Sequence, residues 1–175
     1  MDEPAGRIHF EHPFLTPLQE RAPTRRFRGR LAAPVTVWTS GALTARGGLT
    51  VSSLLVAEGD PPLVLGLLSD VSELWAAMHE SGAFVVHVLD HSQRALSERF
   101  ALRTPAPGGL FSGLEVSESS WGPVLRDVPT RAYCRLQGAS PVGYSSLVTG
   151  SIERLDLHED FHDPLVYFRG HYRTG

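Results

Sequence analysis

The chain has 175 residues, a formal net charge of -3, 42% hydrophobic and 20% charged residues, the profile of one globular domain with enough apolar surface for its own core. It contains no lysine and no asparagine, so all 16 basic residues are arginine and any anion must be met by Arg, by hydroxyls or by backbone N–H groups. The balance excludes a dedicated nucleic-acid binder, which carries a strong basic excess. No apolar run is long enough to cross a bilayer, and the first residues (Met1, Asp2, Glu3, Pro4) lack the charged and apolar regions of a signal peptide. The single Cys134 precludes an internal disulfide and suits a reducing, cytoplasmic setting.

Residues 1–30 read as an arm preceding a domain over residues 31–175. Pro4, Pro13, Pro17 and Pro23 interrupt the arm, and Arg21, Arg25, Arg26, Arg28 and Arg30 give it a basic run, read as a solvated or subunit-contacting surface. Residues 35–39 (VTVWT) alternate and are β-branched, which predicts a strand. Gly41, Gly47 and Gly48 mark a turn over 40–48, followed by a second strand over 49–56 and a third over 63–68. Between the last two, Asp60-Pro61-Pro62 breaks the pattern.

Ser72 can cap a helix whose apolar face is Leu74, Trp75 and Met78 and which stops before Gly82. An apolar strand follows over 83–89. Ser92 can cap a second helix running to Ala101, with Leu96 and Phe100 at i, i+4 spacing. After a Pro/Gly-rich loop at 104–109, further strands are predicted over 130–136, 145–157 and 165–168. Six or more strands with two short helices describe a mainly β chain, a small barrel with helical insertions rather than alternating βαβ units.

Residues 158–162 spell H-E-x-x-H, the pattern in which two histidines one helical turn apart hold zinc. That chemistry needs a continuous helix and a third ligand. Asp163-Pro164 follows at once and forbids a regular helix, and His171 is the one later histidine, so the segment reads as a polar hairpin loop and no metal is expected. His87, inside an apolar strand, reads as a hydrogen-bonded core residue, and His9, His12 and His91 as surface groups. Cys134 reads as an inert buried thiol. There is no G-x-S-x-G, Walker or G-x-G-x-x-G motif. What remains is a hydroxyl cluster: residues 47–53 (GGLTVSS) place Thr50, Ser52 and Ser53 beside two glycines, a surface that offers uncharged donors to a polar or phosphorylated ligand.

PVTVWT at 34–39, GLTVSS at 48–53, DPPLVL at 60–65, SGAFVVHVL at 81–89, QRALSERFA at 93–101, FSG at 111–113, GPVL at 122–125 and PLVYFRGHY at 164–172 occur in the order found in one family. With these segments, over residues 30–173, the chain resembles the flavin reductase-like family with the FMN-binding split barrel. The resemblance implies a homodimer of six-stranded antiparallel Greek-key split β-barrels that binds FMN, with FAD as the variant, at the subunit interface.

Carried over by position, Thr50, Val51, Ser52 and Ser53 would line the flavin and its phosphate. Leu68, Ser69 and Ser72 would form the loop beside its ring and ribityl chain, Arg99, Phe100 and Ala101 would touch it from the second helix, and His171 with Tyr172 would close the site. Arg94 or Arg99 would be the charged partner of a phosphate. The implied reaction is hydride transfer from NAD(P)H to flavin, with reduced flavin passing to a partner monooxygenase. The alternatives are a flavin-binding protein without reductase turnover, or recruitment to another flavin-dependent biosynthetic reaction. Four positions depart from the family pattern: Ser69 and His87 stand where relatives carry Asn, Asp70 where they carry a neutral or basic residue, and Ser145 where many carry a histidine.

Overall fold

The structure, a computed structural model, describes residues 23–174. Residues 1–22 of the arm lie outside them; residues 23–28, read as part of that arm, form helix α1 (Pro23–Arg28). Pro23 suits a first helical position because it lacks only an N–H that would go unpaired. Arg25, Arg26 and Arg28 crowd the last turn, where the helix dipole favours cations.

The main body is a seven-stranded sheet, antiparallel at every pairing. In chain order its strands are β2 (Thr36–Ser40), β3 (Gly47–Val51), β4 (Leu54–Ala57), β5 (Leu63–Leu68), β6 (Ala83–Val88), β9 (Arg131–Val142) and β10 (Ser145–Asp156). Their spatial order is β3-β2-β6-β9-β10-β5-β4. The two outermost strands, β3 and β4, are consecutive in sequence and separated only by Ser52 and Ser53. Two residues span a few ångströms, so both edges of the sheet must meet and the sheet closes into a barrel.

The single strand expected over 49–56 is therefore two. After Val51 the chain leaves β2 and pairs with β5 instead, and no straight strand can serve both neighbours. Taken as one bent strand, β3–β4 completes a six-stranded barrel.

The core explains two glycines. Trp38 stacks on Phe84 with ring centres 4.9 Å apart, and both are fully buried. A methyl at Gly66 would stand 2.7 Å from the Trp38 ring, and one at Gly150 would stand 2.5 Å from the Phe84 ring. Gly66 on β5 and Gly150 on β10 thus make room for the two largest core rings. The hydroxyls of β2 are buried yet satisfied: Thr36 donates to Val51 O at 2.6 Å, Thr39 to Pro123 O at 2.5 Å and Ser40 to Ala83 O at 2.7 Å.

Helix α2 (Glu73–Ser81) crosses from β5 to β6, capped by Ser72, whose Oγ accepts from Trp75 N, and stopped at Gly82 in the left-handed region. Helix α3 (Arg94–Phe100) follows one 3-10 turn at His91–Gln93 capped by Asp90, so the α-helix proper starts one residue after the start that a cap at Ser92 implied. The remaining strands are β1 (Ala33–Pro34), β7 (Val116–Ser119), β8 (Gly122–Leu125), β11 (Leu165–Phe168) and β12 (His171–Thr174). β1, β11 and β12 form a second sheet, and β7 with β8 a hairpin that the sequence pattern had not marked.

The H-E-x-x-H segment is a loop, but not a hairpin turn. It carries the chain from β10 of the large sheet to β11 of the small one. Among the described residues, no helix is long and apolar enough to cross a membrane.

His87 is fully buried on β6. Its Nε2 accepts from Leu125 N at 3.0 Å, so the ring proton sits on Nδ1 and donates to Val37 O at 3.1 Å. Burial pushes its pKa down to about 3 and keeps the ring neutral. Burial likewise pushes the Cys134 thiol up to about 12, so it is no nucleophile at neutral pH.

Candidate functional site

The site is built where the barrel is split. Ser53 clasps the seam: its hydroxyl donates to Leu67 O at 3.0 Å and accepts from Leu67 N at 3.1 Å. At the far end of β3, Gly47 lies directly against the backbone of Glu73 and Leu74. These two contacts bracket the loop 68–72, which therefore runs alongside β3. Ser146 pairs with Leu68, which brings the start of β10, including Ser145, to the same loop.

On its other side β3 meets α3 and β12. Thr50 Oγ1 donates to Ser97 O at 2.7 Å, and the fully buried Ser97 hydroxyl donates to the Tyr172 hydroxyl at 2.8 Å. Phe100 is buried against Gly48 and meets Phe111 edge-on at 5.3 Å. Burial pushes the Tyr172 phenol above its ordinary pKa, so it is a neutral donor at physiological pH.

The expected residues divide into groups. Thr50 and Tyr172 are linked through Ser97, which was not among them; Ser53 and the loop at Leu68–Ser69 form the seam beside this link; Ser72 caps α2. Val51 and Leu68 are buried in one core cluster and Phe100 in another, leaving backbone as their offer to a ligand. Ser52 and Ser69 are exposed, and Ala101 ends α3. His171 and Tyr172 are successive residues of β12, so their side chains project to opposite faces, and Tyr172 is the one that meets α3. Arg99 turns to the loop after α3, where Nη2 donates to Gly109 O at 3.0 Å and Ser112 O at 2.5 Å.

The hydroxyls differ in what they can do. The one proton of Thr50 is spent on Ser97 O, so Thr50 can only accept. Ser53 both donates to and accepts from the Leu67 backbone. Ser52 is exposed and makes no side-chain hydrogen bond among the described residues, and it sits at the one step of β3–β4 that belongs to neither ladder. An exposed hydroxyl and backbone outside both ladders, near a neutral phenol, suit the polar edge of a flat heteroaromatic cofactor.

Ser97 was not marked by the sequence pattern. A helical serine ordinarily faces solvent, and its partners lie 47 and 75 residues away along the chain. A cavity of about 270 Å³ lies apart from this site, lined by Asp90, His158, Asp160, Phe161, His162 and neighbours. Among the described residues, no group of three or more His, Cys, Asp or Glu is placed to hold a metal ion.

Comparison with known proteins agrees with this fold. The family model for the flavin reductase like domain matches residues 28–175. The chain is 34% identical over 156 residues to the NADH-dependent FMN reductase AsuE2 of Streptomyces nodosus subsp. asukaensis, covering 88% of this chain and 84% of that protein. It is 33% identical over 144 residues to the reductase component of 4-hydroxyphenylacetate 3-monooxygenase of Thermus thermophilus, covering 82% and 89%. Its fold superposes on the crystal structure of nitrilotriacetate monooxygenase component B from Mycobacterium thermoresistibile with a TM-score of 0.77 at 29% identity, covering 86% and 84%. The chain belongs to the flavin reductase-like domain family.

Proposed function

We propose that this protein is a flavin reductase that binds FMN at the split of its barrel, uses NADH, and supplies reduced flavin to a separate oxygenase component. The observation that carries the reading is the break at Ser52–Ser53, where an exposed hydroxyl and backbone outside both ladders stand two residues from Thr50 and its link through Ser97 to Tyr172. FMN, when bound, accepts a hydride from the nicotinamide and holds it as reduced flavin.

The chain's own groups bind and orient. Ser52 donates to the polar edge, Thr50 accepts, and the Ser97-held Tyr172 bounds the pocket as a neutral donor. The reaction needs two rings stacked at the right distance rather than an acid–base pair. Ser145 in place of a histidine therefore removes a positioning group and leaves hydride transfer feasible. The names of the relatives, NADH-dependent FMN reductase and monooxygenase reductase component, support both the donor and a partner oxygenase.

A homodimer belongs to the same reading, and the outer face of β4, β5 and β10 supports it. Leu55 pairs with Leu65 and Leu67 with Leu147, which puts these leucines on one side of the sheet. Leu55 is 68% and Leu67 41% exposed in the isolated chain. An apolar, uncharged sheet face of this kind is covered by a second copy. A cytoplasmic setting fits the lone buried thiol.

The test is direct. The purified protein is titrated with FMN by fluorescence quenching, and NADH oxidation is followed with added FMN. Binding with turnover is expected; bound FMN with neither NADH nor NADPH consumed would leave a flavin carrier in place of a reductase. Sedimentation of wild type and Leu67→Arg tests the interface, with a dimer and a monomer expected.

A further inference from the structure

In a chain without lysine, arginine is the permanently charged side chain available to a phosphate. Three arginines lie on or just after α3. Arg99 is committed to the carbonyls of Gly109 and Ser112. The other two converge on Tyr172: the guanidinium of Arg94 lies 5.5 Å from the ring centre, and that of Arg103 lies 6.0 Å from it and 5.3 Å from the ring of Tyr167.

Arg103 is aimed there by the backbone. Leu102 adopts φ 57, a left-handed conformation that costs a non-glycine residue about 1 kcal/mol. The Arg103 N–H then closes on Glu98 O at 3.0 Å. The side chain is further held by donation from Nη2 to the Tyr167 hydroxyl at 2.9 Å. Arg94 is partly offset by Glu98, with Nε 3.1 Å from its carboxylate. Arg103 has no carboxylate oxygen within 4.0 Å among the described residues. An ordered guanidinium with spare N–H donors and no ion-pair partner among the described residues, next to the Thr50–Ser97–Tyr172 chain, has the chemistry of a phosphate receptor.

We propose that Arg103, assisted by Arg94, receives the phosphate of the ligand bound beside Tyr172. This rests on the flavin reductase reading, within which the phosphate belongs either to FMN or to the dinucleotide donor. Both present the same oxyanion to the same fork of N–H groups, and ordering by the two tyrosines lowers the entropy cost of meeting it.

The apoprotein is titrated with FMN and with riboflavin, which lacks the phosphate, and KM is measured for NADH and NADPH. Wild type, Arg103→Gln and the exposed-site control Arg126→Gln are compared. A loss of about tenfold in FMN affinity with riboflavin unchanged assigns the flavin phosphate. A rise of similar size in dinucleotide KM with FMN affinity unchanged assigns the donor. An equal loss for FMN and riboflavin, or no change in any ligand, overturns the proposal while leaving the flavin reading intact.

A wild-type protein that binds neither flavin nor dinucleotide overturns both. If Arg103→Gln does not fold, salt decides in wild type. FMN affinity or dinucleotide KM must weaken with added NaCl while riboflavin does not; flat profiles for all ligands overturn the assignment.

Discussion

Ser97 donates its hydroxyl to the hydroxyl of Tyr172 at 2.8 Å, while its carbonyl accepts from Thr50 at 2.7 Å, so one buried serine of α3 joins β3 to β12. Ser97→Ala should cost about 1–2 kcal/mol in denaturant unfolding, because a buried hydrogen bond is lost and the phenol left short of a partner. Tyr172→Phe should cost a similar amount, and the double variant less than the sum of the two. Additive losses would show that the two hydroxyls do not act as a pair.

Ser52 and Ser53 should separate binding from stability. Ser52→Ala removes the free hydroxyl and is expected to weaken FMN about tenfold with an unchanged melting temperature. Ser53→Ala breaks both bonds to Leu67 and should lower stability by about 1 kcal/mol. Flavin fluorescence and thermal melts, run on both variants, check the division.

Gly66 should not tolerate a side chain. Its Cβ would press on a Trp38 ring that is itself stacked on Phe84, with no room on either side. Gly66→Ala is expected to lose about 1–3 kcal/mol by overpacking. Gly109→Ala, where the added carbon meets nothing within 4 Å, compares a positive φ without crowding. Equilibrium unfolding of the two variants ranks them.

Acid should destabilise the fold through His87. Its pKa is about 3 in the folded chain and near 6.5 when unfolded, so the unfolded state takes up the proton first as pH falls. The stability it contributes is complete above pH 6.5 and declines by up to about 1.4 kcal/mol per pH unit between 6.5 and 3. His87→Gln, which keeps one donor and one acceptor, should flatten that part of the curve. Urea midpoints taken from pH 7 to 4 measure the slope.

Much of this was legible in the chain itself. Alternation marked β2, the apolar run marked β6, and the Ser72 and Gly82 signals bounded α2, because those features act within one element. His87 was read as a bonded core residue because an imidazole inside an apolar strand must find partners. The split at Ser52–Ser53 was missed: nothing local distinguishes a straight strand from one whose halves pair with different neighbours. The β7–β8 hairpin was missed as well, its strands being short and held by pairing rather than by pattern.

The order of the motifs along the chain was enough to name the family, and the hydroxyls of residues 50–53 singled out a candidate site. Which hydroxyl is free was decided only by tertiary contacts. Thr50 is bound to Ser97 and Ser53 to Leu67, leaving Ser52 open. The absence of lysine leaves arginine as the permanently charged side chain available to a phosphate. That Arg99 holds a loop while Arg103 stands between two tyrosines follows from where α3 ends and the chain turns. Hydrogen-bond capacity is a property of the residue; whether it is already spent is a property of the fold.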